Sequence, residues 1–399
     1  MKVIVALEHR FARTPDGSIW TESQFPHSFW TRYLEVFDQV GVVARVKQVS
    51  TVPANWKRAD GDRVSFANVP HYIGPWQYLL KAEQVKQAAR KAVRASDAVI
   101  LRVSSQISQC IEPTLRQTGQ PYAVEVVADP YDVFAPGSVK NPLRPFFRWF
   151  FPRMLRRTCA GATSAAYVTE HALQRRYPPA QEAFSTHYSS VELPEIAFVK
   201  APRSIPEDQK TFTLVCVGTL GQLYKAQDVL IDAIAICVKQ GLDLKLVLVG
   251  DGKHREELEN QARELGIGER VEFRGWLAAG DPVRQELDRA DLFVLPSHQE
   301  GLPRAMIEAM ARGLPCIGSN VGGIPELIPT EEMVAPGDIT GLANKISEVV
   351  SDTQRMENMS VCNLEKAKNY RNEVLRDRRN TFYRYLKEKT QAWALNEKH

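Results

Sequence analysis

At 399 residues the chain is too long for one ordinary domain and suits two of about 200 residues each. Its 44% hydrophobic content fits a globular protein, and no run of roughly 18 apolar residues offers a transmembrane helix. Residues 1–200 hold 25 Lys+Arg against 17 Asp+Glu (+8), leaving 26 against 30 of the chain's 51 and 47 (−4) for residues 201–399, so an anionic surface or acceptor suits the front half.

Met1-Lys2 leads straight into the strand-like VIVAL, far too short for a signal peptide, and the six cysteines stand singly without a CxxC or Cys/His cluster. A cytosolic protein without structural zinc is expected. Residues 1–198 read as an α/β unit. Apolar runs at 3–7, 40–46, 98–103, 122–127 and 165–168 are of strand type, and helical stretches between several of them predict a parallel, doubly wound sheet. A long polar loop is expected over 9–22, where Asp16-Gly17 reads as an ordinary turn. Over 77–95 the helical period sets Leu79, Leu80, Val85, Ala88, Ala89, Ala92 and Val93 roughly on one side. Asp129 follows the fourth strand, where it could face a ligand crevice or cap a helix.

Residues 141–162 have the most unusual composition. Arg144, Arg148, Arg153, Arg156 and Arg157 interleave with Phe146, Phe147, Trp149, Phe150, Phe151, Met154 and Leu155. Arginine with aromatics suits a helix lying on an anionic membrane, so peripheral contact through 141–157 is expected. The other reading is an amphipathic helix packed on its own sheet. No recognised nucleic-acid module is present, and no nucleic-acid partner is expected. Prolines and charges replace periodicity at 194–209, the expected break between domains. Strands follow at 211–220, 244–252, 271–275 and 292–297, with helices between them, and a charged helical segment runs from about 371.

The stretch 290–326, ADLFVLPSHQEGLPRAMIEAMARGLPCIGSNVGGIPE, organises the second half. A buried-type strand leads through a polar loop to a helix, with Pro303 at its start and Gly313 at its stop. Such strand-to-helix crevices are where open α/β sheets bind ligands. Glu300 ends the loop, and Glu308 lies within a helix that is apolar on nearly every face. A carboxylate there is costly unless it is hydrogen-bonded. It could pair with Arg304 or Arg312, each four residues away, or accept hydrogen bonds from the two hydroxyls of a ribose. The helix start offers free amides and a positive dipole to a diphosphate.

This stretch resembles the signature of the family 4 retaining glycosyltransferases, in which two glutamates with seven residues between them precede Ala-x-Gly-x-Pro and Gly-Gly-x-Pro-Glu. The resemblance implies the GT-B fold: two Rossmann-like, doubly wound parallel-sheet domains facing across a cleft. It implies an acceptor-binding domain at 1–198, joined by the terminal helix 371–399, and a donor domain at 199–370. Glu308 would bind the ribose of a nucleotide sugar, Glu300 would approach the sugar hydroxyls, and the amides of Gly301 and Leu302 would face the sugar-phosphate end. VGTLGQLYKAQDVLIDAI resembles the family's first donor loop. Lys225 matches the diphosphate lysine, Ala226 replaces the usual glycine, and Thr219 stands where an arginine is usual. Arg304 could supply the missing cation, unless Glu308 takes it. Leu277 would lie beside the nucleobase. In the first domain Gly17 is the candidate for the phosphate-approaching glycine, and Asp129 stands about where a histidine is usual.

The expected activity is retaining, metal-independent hexosyl transfer from a UDP- or GDP-type nucleotide sugar. The acceptor would be a glycan or lipid-linked saccharide in surface or exopolysaccharide synthesis, at the inner face of the plasma membrane. Lys225, Glu300 and Asp129 are the catalytic candidates, with no cofactor beyond the nucleotide-sugar co-substrate. A soluble small-molecule acceptor, a nucleotide-sugar epimerase on the same fold and an inactive nucleotide-binding module are the rival readings.

Overall fold

The computed structural model describes residues 1–22, 24–134 and 141–396, which form two compact units, Met1–Tyr188 with Asp377–His399, and Ser189–Arg376. The first crossing thus falls at 188/189, not at 198/199. The intervening strap belongs to the second unit because Arg203 donates to the carbonyls of Leu287 (2.8 Å) and Arg312 (3.2 Å), and Val199 N–H to that of Ala311 (3.0 Å). The second crossing lies within the last helix, at 376/377.

In the first unit the strands are β1 (Lys2–Arg13), β2 (Ile19–Thr21), β3 (Gln39–Gln48), β4 (Lys57–Arg58), β5 (Val64–Pro70), β6 (Ala98–Val103), β7 (Tyr122–Val126), β8 (Ser164–Tyr167) and β9 (Phe184–His187). The parallel order runs β5-β3-β1-β6-β7-β8-β9, and β2 and β4 pair antiparallel at the end of β1. The helices are α1 (His27–Leu34), α2 (Gly74–Lys91), α3 (Gln106–Thr118), α4 (Pro130–Val133), α5 (Arg144–Ala160) and α6 (Ala172–Arg176). Strands covered on both faces carry the apolar runs seen in the sequence.

Two expectations change here. The polar loop expected at 9–22 is strand and hairpin: β1 bulges between Ala6 and Arg10, resumes pairing with β3, and turns into β2. The continuation holds because Phe11 and Ala12 are buried, with the Phe11 ring edge-on to Phe66 at 4.8 Å. Leu79 and Leu80 do not join the inner face of α2. That face is Val85 and Ala89, fully buried, with Tyr78 packed against the same core, and the two leucines point to solvent.

In the second unit the strands are β10 (Thr211–Val217), β11 (Asp243–Val249), β12 (Val271–Gly275), β13 (Leu292–Leu295), β14 (Cys316–Ser319) and β15 (Met333–Val334), all parallel in the order β12-β11-β10-β13-β14-β15. Its helices are α7 (Gln227–Lys239), α8 (Arg255–Glu264), α9 (Asp281–Arg289), α10 (Arg304–Ala311), α11 (Ile339–Val350) and α12 (Thr353–Ala367), and α13 (Asn372–Asn396) ends the chain. The sheet reverses direction of growth at β10, which lies between β11 and β13. Such a switch point opens a crevice beyond the carboxyl ends of the strands.

Candidate active site

The crevice at the ends of β10 and β13 collects the predicted donor residues. After β10 the chain passes through Thr219 to a short helical turn, Leu223–Lys225, and then Ala226 starts α7 in the left-handed region (φ 55°, ψ 44°). An L-residue pays roughly 1–2 kcal/mol there, which explains why glycine is usual after such a lysine. After β13, Ser297 and Glu300 enter the loop before α10.

Lys225 and Glu300, 75 residues apart, meet with Nζ 2.5 Å from Oε1, both side chains largely buried. Ser297 Oγ donates to the same oxygen at 2.7 Å, and Ser319 Oγ donates to the Ser297 carbonyl at 2.5 Å. Among the described residues Oε2 of Glu300 has no protein donor, and the amides of Gly301 and Leu302 have no protein acceptor. The loop is braced from below by the Gly322-Gly323 turn, where Gly323 N–H donates to the Gly301 carbonyl at 2.6 Å. A Cβ on Gly322 (φ 55°) would stand 2.1 Å from the Glu300 carbonyl oxygen, so this contact requires glycine.

Neither arginine that the sequence offers to Glu308 pairs with it. Arg312 is taken by Asp288, at 2.7 and 2.9 Å, and by the Ala197 carbonyl at 3.1 Å. Arg304 is exposed and forms no ion pair with Glu308, which among the described residues has no hydrogen-bond or ion-pair partner. Burial raises its carboxyl above the usual range, opposed by the fields of Arg304 and Arg284. A half-buried carboxylate lacking a donor is poised for hydroxyls from a ligand.

The remaining candidates make contacts of their own. Thr219 is exposed, and its Oγ accepts from Gly221 N–H at 3.0 Å. Leu277 is half-buried just after β12. Gly17 (φ 86°) donates its N–H to the Thr14 carbonyl at 2.9 Å, closing the β1–β2 hairpin, which accounts for its conformation as the ordinary turn does. Asp129 caps α4 through Tyr131 N–H at 2.9 Å and is held by Tyr177 Oη and Arg176. The capping alternative accounts for the Tyr131 contact, while Tyr177 and Arg176 engage the same carboxylate from elsewhere in the unit. Ser297, Ser319 and Arg284 were not singled out from the sequence. A serine three residues before a motif glutamate was the available signal for the first. Among the described residues no three His, Cys, Asp or Glu side chains cluster as metal ligands, and no helix is long and apolar enough to cross a membrane.

Two parallel-sheet units of this build make the GT-B fold. Over 96% of its length the chain superimposes on 99% of sucrose-phosphate synthase from Thermosynechococcus elongatus (TM-score 0.66, 18% identity). Over 98% it superimposes on all of Anabaena Alr3699/HepE, solved in complex with UDP (100% of that chain, TM-score 0.62, 18% identity). Residues 211–352, which include the Lys225–Glu300 pair and Glu308, match the family Glycosyl transferases group 1. Protein CapJ of Staphylococcus aureus is 27% identical over 350 residues, 86% of this chain and 85% of CapJ.

Proposed function

We propose that the protein transfers a hexosyl group from a UDP- or GDP-type nucleotide sugar to a hydroxyl of a glycan or lipid-linked saccharide, with retention of anomeric configuration. The observation that carries the reading is Glu308, a half-buried carboxylate in the family's motif without a partner among the described residues. In this reading Glu308 accepts from the ribose hydroxyls. Lys225, helix amides and the exposed Arg304 face the diphosphate and relieve its charge as it leaves, without a metal ion. Glu300, held by Lys225 and Ser297, offers its second oxygen to the sugar and orients it. No side chain is placed as a nucleophile, so the departing phosphate oxygen takes the acceptor's proton on the face it leaves.

The acceptor falls to the basic first unit. There α5 leaves Leu143, Phe146 and Trp149 exposed beside its arginines, which supports peripheral contact with an anionic membrane on its cytoplasmic side. Calorimetry with UDP, GDP, ADP and dTDP tests the donor site. One nucleotide should bind clearly best, and Glu308→Gln should weaken it by about 1–3 kcal/mol while the fold is kept, the scale of hydrogen bonds to a charged group. Unchanged affinity in Glu308→Gln would remove the ribose role. Turnover that survives EDTA is expected, and rescue by Mg²⁺ after loss would show a metal requirement.

A further inference from the structure

The first two turns of α2 carry large apolar side chains where packing does not call for them. At 100° per residue, Ile73, Trp76 and Leu80 fall opposite the buried Val85 and Ala89 with Leu79 on the flank beside them, and the four are 54–87% exposed. Farther along, the same outward face is polar, with Glu83, Gln84, Gln87 and Arg90. An exposed apolar patch confined to one end of a helix marks an interaction surface.

A cluster of cations adjoins it. The β1–β3 register sets Arg10 beside Arg45 and Ala12 beside Lys47, and the β3–β5 register sets Val46 beside Pro70, which brings Lys47 next to His71. Lys81, on α2, donates to the His71 carbonyl at 2.8 Å. His71 feels Arg45, Lys47, Arg10 and Lys81 together, which with burial lowers its pKa. Glu8 is the acid at this end of the sheet, and it is engaged by Arg45, Tyr72 Oη and Gln106 N–H, each at 2.9 Å. Among the described residues no carboxylate pairs with Arg10, Lys47 or Lys81. Like charges side by side on neighbouring strands repel, and a bound anion removes that cost.

These residues lie at the carboxyl ends of β1, β3 and β5, the end of a parallel sheet that receives ligands. The exposed Leu143, Phe146 and Trp149 of α5 lie at the same end. Both helices enter from the carboxyl ends of their strands, and their inner residues Val85, Ala89, Leu155 and Cys159 share one core. We infer that Arg10, Lys47 and Lys81, with Trp76, Leu79 and Leu80, form a docking surface for a phosphorylated lipid in a membrane. The phosphate sits on the cations, and the outer face of α2 enters the headgroup layer. Resting on the transfer reading above, this lipid phosphate is the anchor of the saccharide acceptor.

Vesicle flotation with the full chain tests the inference without donor or turnover. Vesicles of phosphatidylcholine alone are compared with vesicles carrying a polyprenyl phosphate, or oleate at equal charge. Strong binding is expected to the polyprenyl phosphate vesicles only. Arg10→Gln with Lys47→Gln should weaken it roughly thirtyfold, from about 1 kcal/mol per surface cation. Trp76→Ser with Leu80→Ser should reduce it at least tenfold. The altered side chains project to solvent, so melting temperature and nucleotide affinity should stay at the parent values. Loss of nucleotide binding by the parent would count against the donor site and leave this surface untouched. Parent-like flotation of both double variants would overturn the inference, as would equal binding to oleate vesicles. So would displacement by soluble pyrophosphate combined with an undiminished Trp76→Ser/Leu80→Ser variant, which would mark a soluble anion. A parent that ignores every vesicle yet sediments as a dimer broken by Trp76→Ser/Leu80→Ser would assign the face to a second copy.

Discussion

Glu308 has a consequence for pH. Burial raises its carboxyl, so the folded, ligand-free protein holds this proton more tightly than the unfolded chain does. Its contribution to stability is therefore present at low pH and is lost as pH rises through the folded value. In the proposed reading, ribose hydroxyls donate to the ionised form and pull the value back down. Nucleotide binding should then release a proton, and affinity should fall as pH drops through the raised value. Calorimetry in buffers of different ionisation enthalpy reads that proton, and Glu308→Gln should abolish the part of the release due to this residue. Identical release in parent and variant would sink the idea. The two glutamates were legible in the sequence because their spacing, the helix signals and the glycines are local. Their partners were not. Arg312 lies four residues from Glu308 yet pairs with Asp288, and Lys225 reaches Glu300 from 75 residues away. Those choices are made by packing between elements that the sequence does not position.

Among the elements, strands buried on both faces were the easiest to read, since the apolar runs at 98–101 and 292–295 match the bulk of β6 and all of β13. β5 and β9 escaped because each mixes polar residues into a short run, VSFANVP and FSTH, at or near the margin of the sheet. α2 shows the opposite error. Its apolar residues were assigned to one side by count, although Leu80 lies opposite Val85 and Ala89 and Leu79 lies on the flank, both exposed. The same ambiguity attended α5, where packing and membrane contact were both open. The structure divides the helix: Leu155 and Cys159 are buried, whereas Phe146 and Trp149 are about half exposed. Leu155→Ala should thus cost about 2–5 kcal/mol. Trp149→Ala should stay within roughly 0.5 kcal/mol, as for surface changes away from packing. Chemical denaturation of the two variants checks this. A Trp149→Ala loss as large as that of Leu155→Ala would mean that the ring is packed in solution and unavailable to a membrane.

Across the whole molecule, the last helix ties the chain's end to its beginning. From Asp377 onward α13 belongs to the first unit, where Phe382, Tyr383 and Leu386 are fully buried. Tyr383 stacks on Tyr33 at 4.8 Å, and its hydroxyl donates to Glu125 at 3.1 Å. Glu125, in the middle of β7, also takes Arg102 at 2.6 Å and the hydroxyls of Tyr188 and Tyr33 at 2.8 and 3.1 Å. Removing one partner from a buried charge cluster leaves the rest poorly compensated. Asn380 adds a bond to Glu35 at 2.7 Å, and Lys387 one to the Val36 carbonyl at 2.8 Å. A chain ended at Arg376 should therefore lose the first unit selectively. Burial of three large side chains contributes roughly 5–9 kcal/mol, comparable to the whole stability of a domain. Lys225, Glu300 and Glu308 all lie in the second unit, so calorimetry should find nucleotide affinity kept while differential scanning calorimetry shows the first unit's transition lowered or absent. Loss of both together would show that the second unit depends on the first for its fold. An unchanged first transition would show that the tyrosine and glutamate cluster is not what holds β7 and α1 in place.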